Sequence, residues 1–151
     1  MQTKTIKKMF DACYQAKRIR ELLPTLPNGV RPSYIRYLDA IQSLEKVEIH
    51  VKISDISDAL QLPRPGVTRT VKEMVEKGYL EKLSSPDDKR VTYISITEAG
   101  NALSKQYNEE YFHSLAPYMD AISEEDATCM IETIETFYEI MLERRTSYDK
   151  R

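Results

Sequence analysis

The stretch QLPRPG, Gln61 to Gly66, limits this chain more than any other feature. Two prolines and a glycine within six residues cannot lie inside a helix. Yet amphipathic helical patterns flank them on both sides. Before the break, SDISDAL predicts a short helix over Asp55–Leu60 capped by Ser54. After it, Val67, Val71, Met74 and Val75 recur at helical spacing over about Pro65–Lys77. Pro65 suits a first helical turn, where no N–H is needed, and Gly78 suits the position just past the last turn.

Further elements follow in the sequence. Tyr79–Leu83 and Val91–Ile96 predict a hairpin around a polar tip, Ser84–Arg90. Thr97 caps a helix running to about Pro117, and Ser123 caps a last one. Upstream, Ile6, Met9, Phe10, Cys13, Lys17, Arg20 and Leu23 share a helical face, and PTLPNGVRP ends that helix. Ser33 is read as the cap of a second helix, with Tyr34, Tyr37, Leu38, Ile41 and Leu44 inward. Val47, Glu48, Ile49, His50, Val51, Lys52 and Ile53 alternate as a short strand. This order predicts a mainly α (α+β) chain: a winged helix-turn-helix over 47–97, between helices at 1–46 and 98–151. The outer helices carry more apolar face than one small domain covers, which predicts a second copy packed on them.

Charge is spread unevenly although the net value is only -2. Met1–Lys52 holds ten Lys/Arg against five Asp/Glu, and Glu98–Arg151 holds five against twelve. Between them, Arg64–Lys72 has three basic residues and no acidic one. Thr68, Arg69 and Lys72 fall off the apolar face of their helix. An exposed Arg there has the geometry for guanine O6/N7, and the helix N-terminus suits phosphate. Gly66 leaves room for close approach. At the hairpin tip, Asp88 and Arg90 stand two apart on the same side, so the carboxylate can hold the guanidinium for a narrow minor groove.

Other chemistry lacks its residues. There is no nucleophile elbow, phosphate-cradling loop or HExxH motif, and neither His50 nor His113 has a spaced metal-ligand partner. The chain is therefore expected to be no enzyme and to hold no metal or cofactor. No apolar run approaches ~20 residues, so no membrane span is expected. Cys13 and Cys129 form no CxxC, which suits a reducing cytoplasm. The N-terminus lacks a signal-peptide pattern. Cys13 lies among Met9 and Phe10 and is expected to be a buried, inert thiol.

The run SDISDALQLPRPGVTRTVKEMVEKGYLEKLSSPDDKRVTYISITEAG resembles the signature region of the MarR family, the multiple-antibiotic-resistance regulators. The resemblance rests on the VTR-type helix, the glycine ending it, the D-x-R tip and the T-x-x-G-like helix start. It implies a bacterial, homodimeric regulator of transcription, most simply a repressor on a pseudo-palindromic operator in double-stranded DNA. It implies DNA contacts from Ser54, Arg64, Pro65, Gly66, Thr68, Arg69, Lys72, Asp88, Lys89 and Arg90, with Arg90 in the minor groove. It further implies a small aromatic or phenolic effector in a crevice lined by Tyr14, Arg18, Tyr34, Tyr37 and Tyr111. Pro63 departs from the pattern, because many members carry Ser or another cap there. Two alternatives stand beside this reading: a thiol-based redox regulator using Cys13, and a winged helix that binds proteins without binding DNA.

Overall fold

A helix this short is stable only when packed, and the chain packs its short helices around one apolar cluster. The computed structural model describes residues 1–47 and 50–148. The chain runs through helices α1 (Thr3–Glu21), α2 (Pro32–Glu45), α3 (Ile53–Leu60) and α4 (Arg64–Glu76). Strands β1 (Leu80–Ser84) and β2 (Thr92–Ile96) follow, then α5 (Glu98–Ser104), a π-helical turn (Lys105–Glu110), α6 (Tyr111–Leu115), a 3-10 turn (Ala116–Tyr118) and α7 (Glu124–Tyr148). Two compact units result, Met1–Glu110 and Tyr111–Arg151.

The core of the first unit joins every element from α2 to α5. Helix α2 contributes Tyr34, Tyr37, Leu38 and Ile41, α3 contributes Ile56 and Leu60, and α4 contributes Val67, Val71 and Met74. Leu80, Ile94 and Ile96 of the hairpin and Leu103 of α5 close it. The apolar spacing in α4 is thus satisfied by burial, since Val67, Val71 and Met74 are fully covered. Strands β1 and β2 pair antiparallel with Leu80 opposite Ile96 and Ser84 opposite Thr92.

Several local details differ from the sequence expectations. Ser33 is not the cap of α2: Arg31 holds that position and Pro32 is the first helical residue. Proline there loses no hydrogen bond, so the helix begins two residues earlier. Ser54 likewise lies inside α3, whose cap position is Lys52. Asp55 stabilises that start, its carboxylate accepting the Lys52 backbone N–H at 2.8 Å. Among the described residues of the strand expected over Val47–Ile53 there is one bridge, Val51 to Ile94, with the Ile94 N–H donating to the Val51 carbonyl at 2.8 Å. Val47 is exposed and Ile53 is helical, while Glu48 and Ile49 lie outside the described residues. His50 stacks on Tyr93, ring centroids 4.2 Å apart, which holds this segment against β2.

The helix expected to run unbroken from Thr97 to Pro117 is interrupted by the π-turn. Buried polar groups accompany the interruption. Ser104 is fully buried and its hydroxyl donates to Gln42 Oε1 at 2.8 Å. The Asn108 amide donates to Ser104 Oγ at 2.9 Å and to the Ile35 carbonyl at 3.2 Å. A buried polar group without a partner is costly, and these bonds tie the widened turn to α2. In the second unit, Ser123 caps α7 as expected, accepting the Asp126 N–H at 3.0 Å and donating to its carboxylate at 2.8 Å.

Candidate nucleic-acid interface

The turn between α3 and α4 sets the direction of α4. Gln61 ends α3 in the left-handed region, at φ 53°. The Leu62 N–H donates to the Ser57 carbonyl at 3.1 Å, and the Ser57 hydroxyl returns a bond to the Leu62 carbonyl at 2.5 Å. Pro63 then takes the cap position of α4 with no side-chain cap, so the first N–H groups of α4 are left to outside partners. Arg64, Pro65, Gly66, Thr68, Arg69 and Lys72 are all exposed around this end. A Cβ placed on Gly66 would meet open space, so the glycine leaves a gap in the helix surface. Lys72 reaches Glu76 one turn on at 3.9 Å.

Helix α4 ends in a Schellman motif, which starts the wing. The Gly78 N–H donates to the Val75 carbonyl and the Tyr79 N–H to the Met74 carbonyl, with Gly78 at φ +80°. The far strand returns to the same point. Thr97 caps α5 by accepting the Gly100 N–H at 3.1 Å, and its hydroxyl donates to the Gly78 carbonyl at 2.5 Å. The Thr97 N–H also donates to the Tyr79 carbonyl at 3.2 Å. One threonine therefore locks the wing's base to the end of α4.

At the wing tip, Asp88 and Arg90 do touch, but not along an extended chain. The tip is a turn in which the Val91 N–H donates to the Asp88 carbonyl at 2.9 Å. The Asp88 carboxylate accepts the Arg90 backbone N–H at 3.0 Å and two guanidinium N–H groups at 3.2 and 3.4 Å. Ser85, absent from the sequence-based candidates, anchors the turn: it is buried, and its hydroxyl accepts the Asp87 and Asp88 N–H groups at 3.3 Å each. The pattern Ser-Pro-Asp-Asp is a signal for such a side-chain turn. The Arg90 side chain stays 91% exposed, so it is held by Asp88 while facing outward. Lys89 is exposed beside it.

The bonds from Arg90, its backbone N–H first and its guanidinium second, hold the Asp88 carboxyl below its ordinary 3.8. A depressed carboxylate contributes above its unfolded pKa and loses that contribution as pH falls through the folded value. The Arg90 Nε–H resonance is therefore expected to stay constant from about pH 7 to 5 and to move only below 3.8. A titration of that resonance with a midpoint above 4 would show that the pair does not form.

Of the five residues proposed for an effector crevice, the four in the first unit are not gathered into one. Tyr34 and Tyr37 are core residues, 0% and 3% exposed, because α2 packs on α3, β2 and α5. The Tyr34 hydroxyl donates to Glu73 Oε2 at 3.1 Å, and burial first and this bond second raise its pKa. Tyr14 is 65% exposed and Arg18 donates to Gln15 of its own helix, while Tyr111 begins the second unit. Cys13 is exposed, not buried as its apolar neighbours suggested, since α1 buries no residue in the single chain. Cys129 is exposed too. Among the described residues no group of His, Cys, Asp and Glu is placed to hold a metal. Among them, too, no helix is long and apolar enough to cross a membrane.

Residues 28–91 match the sequence profile of the MarR family. The HTH-type transcriptional regulator Hpr of Lysinibacillus sphaericus is 33% identical over 75 residues, 46% of this chain and 40% of that protein. The transcriptional repressor MprA of Escherichia coli K12 is 28% identical over 85 residues, 56% of this chain and 48% of that protein. The chain thus spans about half the length of the curated relatives it matches. Among solved structures, FabT of Streptococcus pneumoniae in complex with DNA superposes with a TM-score of 0.66 at 19% identity, over 94% of this chain and 99% of that one. Profile, relatives and fold converge on the helix-turn-helix and wing described above: the chain has a winged helix-turn-helix fold, and its residues 28–91 are similar to the MarR family.

Proposed function

We propose that this protein is a sequence-specific DNA-binding regulator of transcription that acts as a homodimer, most simply as a repressor. One observation carries the proposal: the acid-free, exposed start of α4 stands on a helix-turn-helix whose wing presents Arg90 braced by Asp88. In a helix-turn-helix the second helix enters the major groove with its N-terminal residues at the bases. Here those residues are Arg64, Gly66, Thr68 and Arg69, with Lys72 behind them. Arg90 serves the flanking minor groove and Lys89 a phosphate. The regulator names of the curated relatives and the DNA complex of FabT support this assignment.

The homodimer rests on two features of the outer helices. Ile6, Phe10 and Ile19 on α1, and Met130, Ile131, Ile134 and Met141 on α7, are exposed in the single chain. Large apolar faces of this kind mark protein interfaces. Helix α1 also carries six basic residues against two acidic ones, whereas α7 carries seven acidic against two basic, so two copies offer each other complementary charge.

Selection of bound sequences from random duplex DNA at ~150 mM salt tests this function. A two-fold palindrome with half-sites about 10 bp apart is the expected product. A folded protein that enriches nothing would instead support the protein-interaction module. With the recovered duplex, Arg69→Ala is expected to reduce the slope of log K against log salt by about 0.9, the share of one phosphate. An unaltered slope would remove Arg69 from the phosphate contacts and leave it, at most, a base reader.

A further inference from the structure

Glu73 lies one turn beyond Arg69 on α4, the i,i+4 spacing at which helix ion pairs form. The same helix shows the pairing in the next register, Lys72 to Glu76 at 3.9 Å. Glu73 nevertheless faces away from Arg69. Its Oε2 accepts the hydroxyl of the fully buried Tyr34 at 3.1 Å and pairs with Arg31 Nη1 at 3.3 Å. Both partners come from outside the helix-turn-helix: Arg31 is the cap residue of α2 and Tyr34 lies in its first turn. Glu73 is 25% exposed, so its side chain is largely sheltered from solvent screening. Among the described residues, Arg69 makes no ion pair or side-chain hydrogen bond.

We infer that Arg31 and Tyr34 are positioning residues that hold the Glu73 carboxylate off Arg69, so that the Arg69 guanidinium stays free for DNA. A carboxylate one turn from a phosphate-facing guanidinium harms binding in two ways. It occupies the guanidinium, and it repels the backbone. Arg31 removes both effects by pulling the charge sideways and neutralising it. Tyr34 fixes the direction of the pull, because a buried hydroxyl cannot follow the carboxylate elsewhere. Removing Arg31 leaves Glu73 with a quarter-exposed, unneutralised charge, and Arg69 stands one turn before it on the same helix, within i,i+4 reach.

This inference rests on α4 as the DNA-facing helix, so its test has an arm without DNA. In that arm the Arg69 Nε–H resonance is followed in Arg31→Gln and in Arg31→Gln with Glu73→Gln. It is expected to move in the single variant and to return in the double one. A resonance unmoved by Arg31→Gln overturns the inference whatever the protein binds. In the other arm, Arg31→Gln is expected to weaken binding of the selected duplex about two- to fivefold, the scale of a helix ion pair strengthened by partial burial. That loss should vanish when Glu73→Gln or Arg69→Ala is already present. A loss that persists in full in the Glu73→Gln background means that Arg31 touches DNA itself, which overturns the positioning role. Failure of the unaltered protein to bind any duplex would count against the regulator assignment, and the resonance arm would still decide the role of Arg31. Arg31 is 64% exposed, so its replacement leaves the core intact.

Discussion

Gly100→Ala is expected to lower the melting temperature by about 5–10 °C, through a contact invisible in the motif that contains it. A Cβ at Gly100 would sit 2.2 Å from the Tyr79 carbonyl oxygen and 2.7 Å from Ile96 Cγ2. The carbonyl cannot swing aside, because it accepts the Thr97 N–H that seats α5 on the wing. Overpacking of a tight contact costs ~1–3 kcal/mol and occasionally more, and backbone against backbone belongs at the upper end. Alanine's better helix propensity returns about 1 kcal/mol, leaving a net loss of about 2–3 kcal/mol. Each kcal/mol shifts the melting point by roughly 2–4 °C in a chain of this size. Gly66→Ala is the control, since its Cβ meets nothing within 4 Å and α4 should be unchanged or slightly firmer. Thermal unfolding at one fixed protein concentration checks both, and a Gly100→Ala melting point within 2 °C of the parent would remove the close approach from the account.

Arg90→Ala is expected to weaken binding of the selected duplex about 5- to 150-fold at constant salt, corresponding to ~1–3 kcal/mol for a specific arginine contact. The size follows from preparation as well as charge. An arginine ordered only on binding loses ~0.5–1.5 kcal/mol of side-chain freedom. Arg90 is already braced through its backbone N–H and guanidinium by Asp88, which is itself held by Ser85. The fold should be indifferent to the change because the side chain is 91% exposed. Fluorescence anisotropy with the recovered duplex, beside an unchanged melting curve, is the measurement. Binding equal to that of the parent would remove the wing from the DNA interface.

The legible parts of this molecule are those where one physical signal acts over a short distance. Apolar spacing located the buried face of α4 at Val67, Val71 and Met74, because a short amphipathic helix has one way to bury that stripe. Gly78 at φ +80° and the Thr97 cap were readable for the same reason: helix ends demand particular residues. The strand before α3 was misleading. Alternation at Val47 and Ile53 matched a period of two, but Ile53 joins a helix and, among the described residues of the segment, only Val51 meets a partner strand. Alternation cannot reveal whether an edge is there to pair with.

Side-chain partners across the fold were beyond the sequence. Tyr34 and Tyr37 carry the same letters as ligand-facing tyrosines, and only the packing of α2 against α3, β2 and α5 makes them core. The bond from Tyr34 to Glu73 joins residues 39 apart, which no local pattern encodes. Cys13 was expected to be buried because its neighbours are apolar, yet α1 buries none of them within one chain. By itself, then, the sequence determined the helix-turn-helix, the wing and the basic face of α4, since propensity, caps and periodicity are local. Tertiary structure alone decided that Gly100 must lack a side chain, that the π-turn forms around Ser104 and Asn108, and that Glu73 turns from Arg69 to α2. Each of those depends on what a distant segment places within a few ångströms, and short-range physics at that distance outweighs any preference written in the chain.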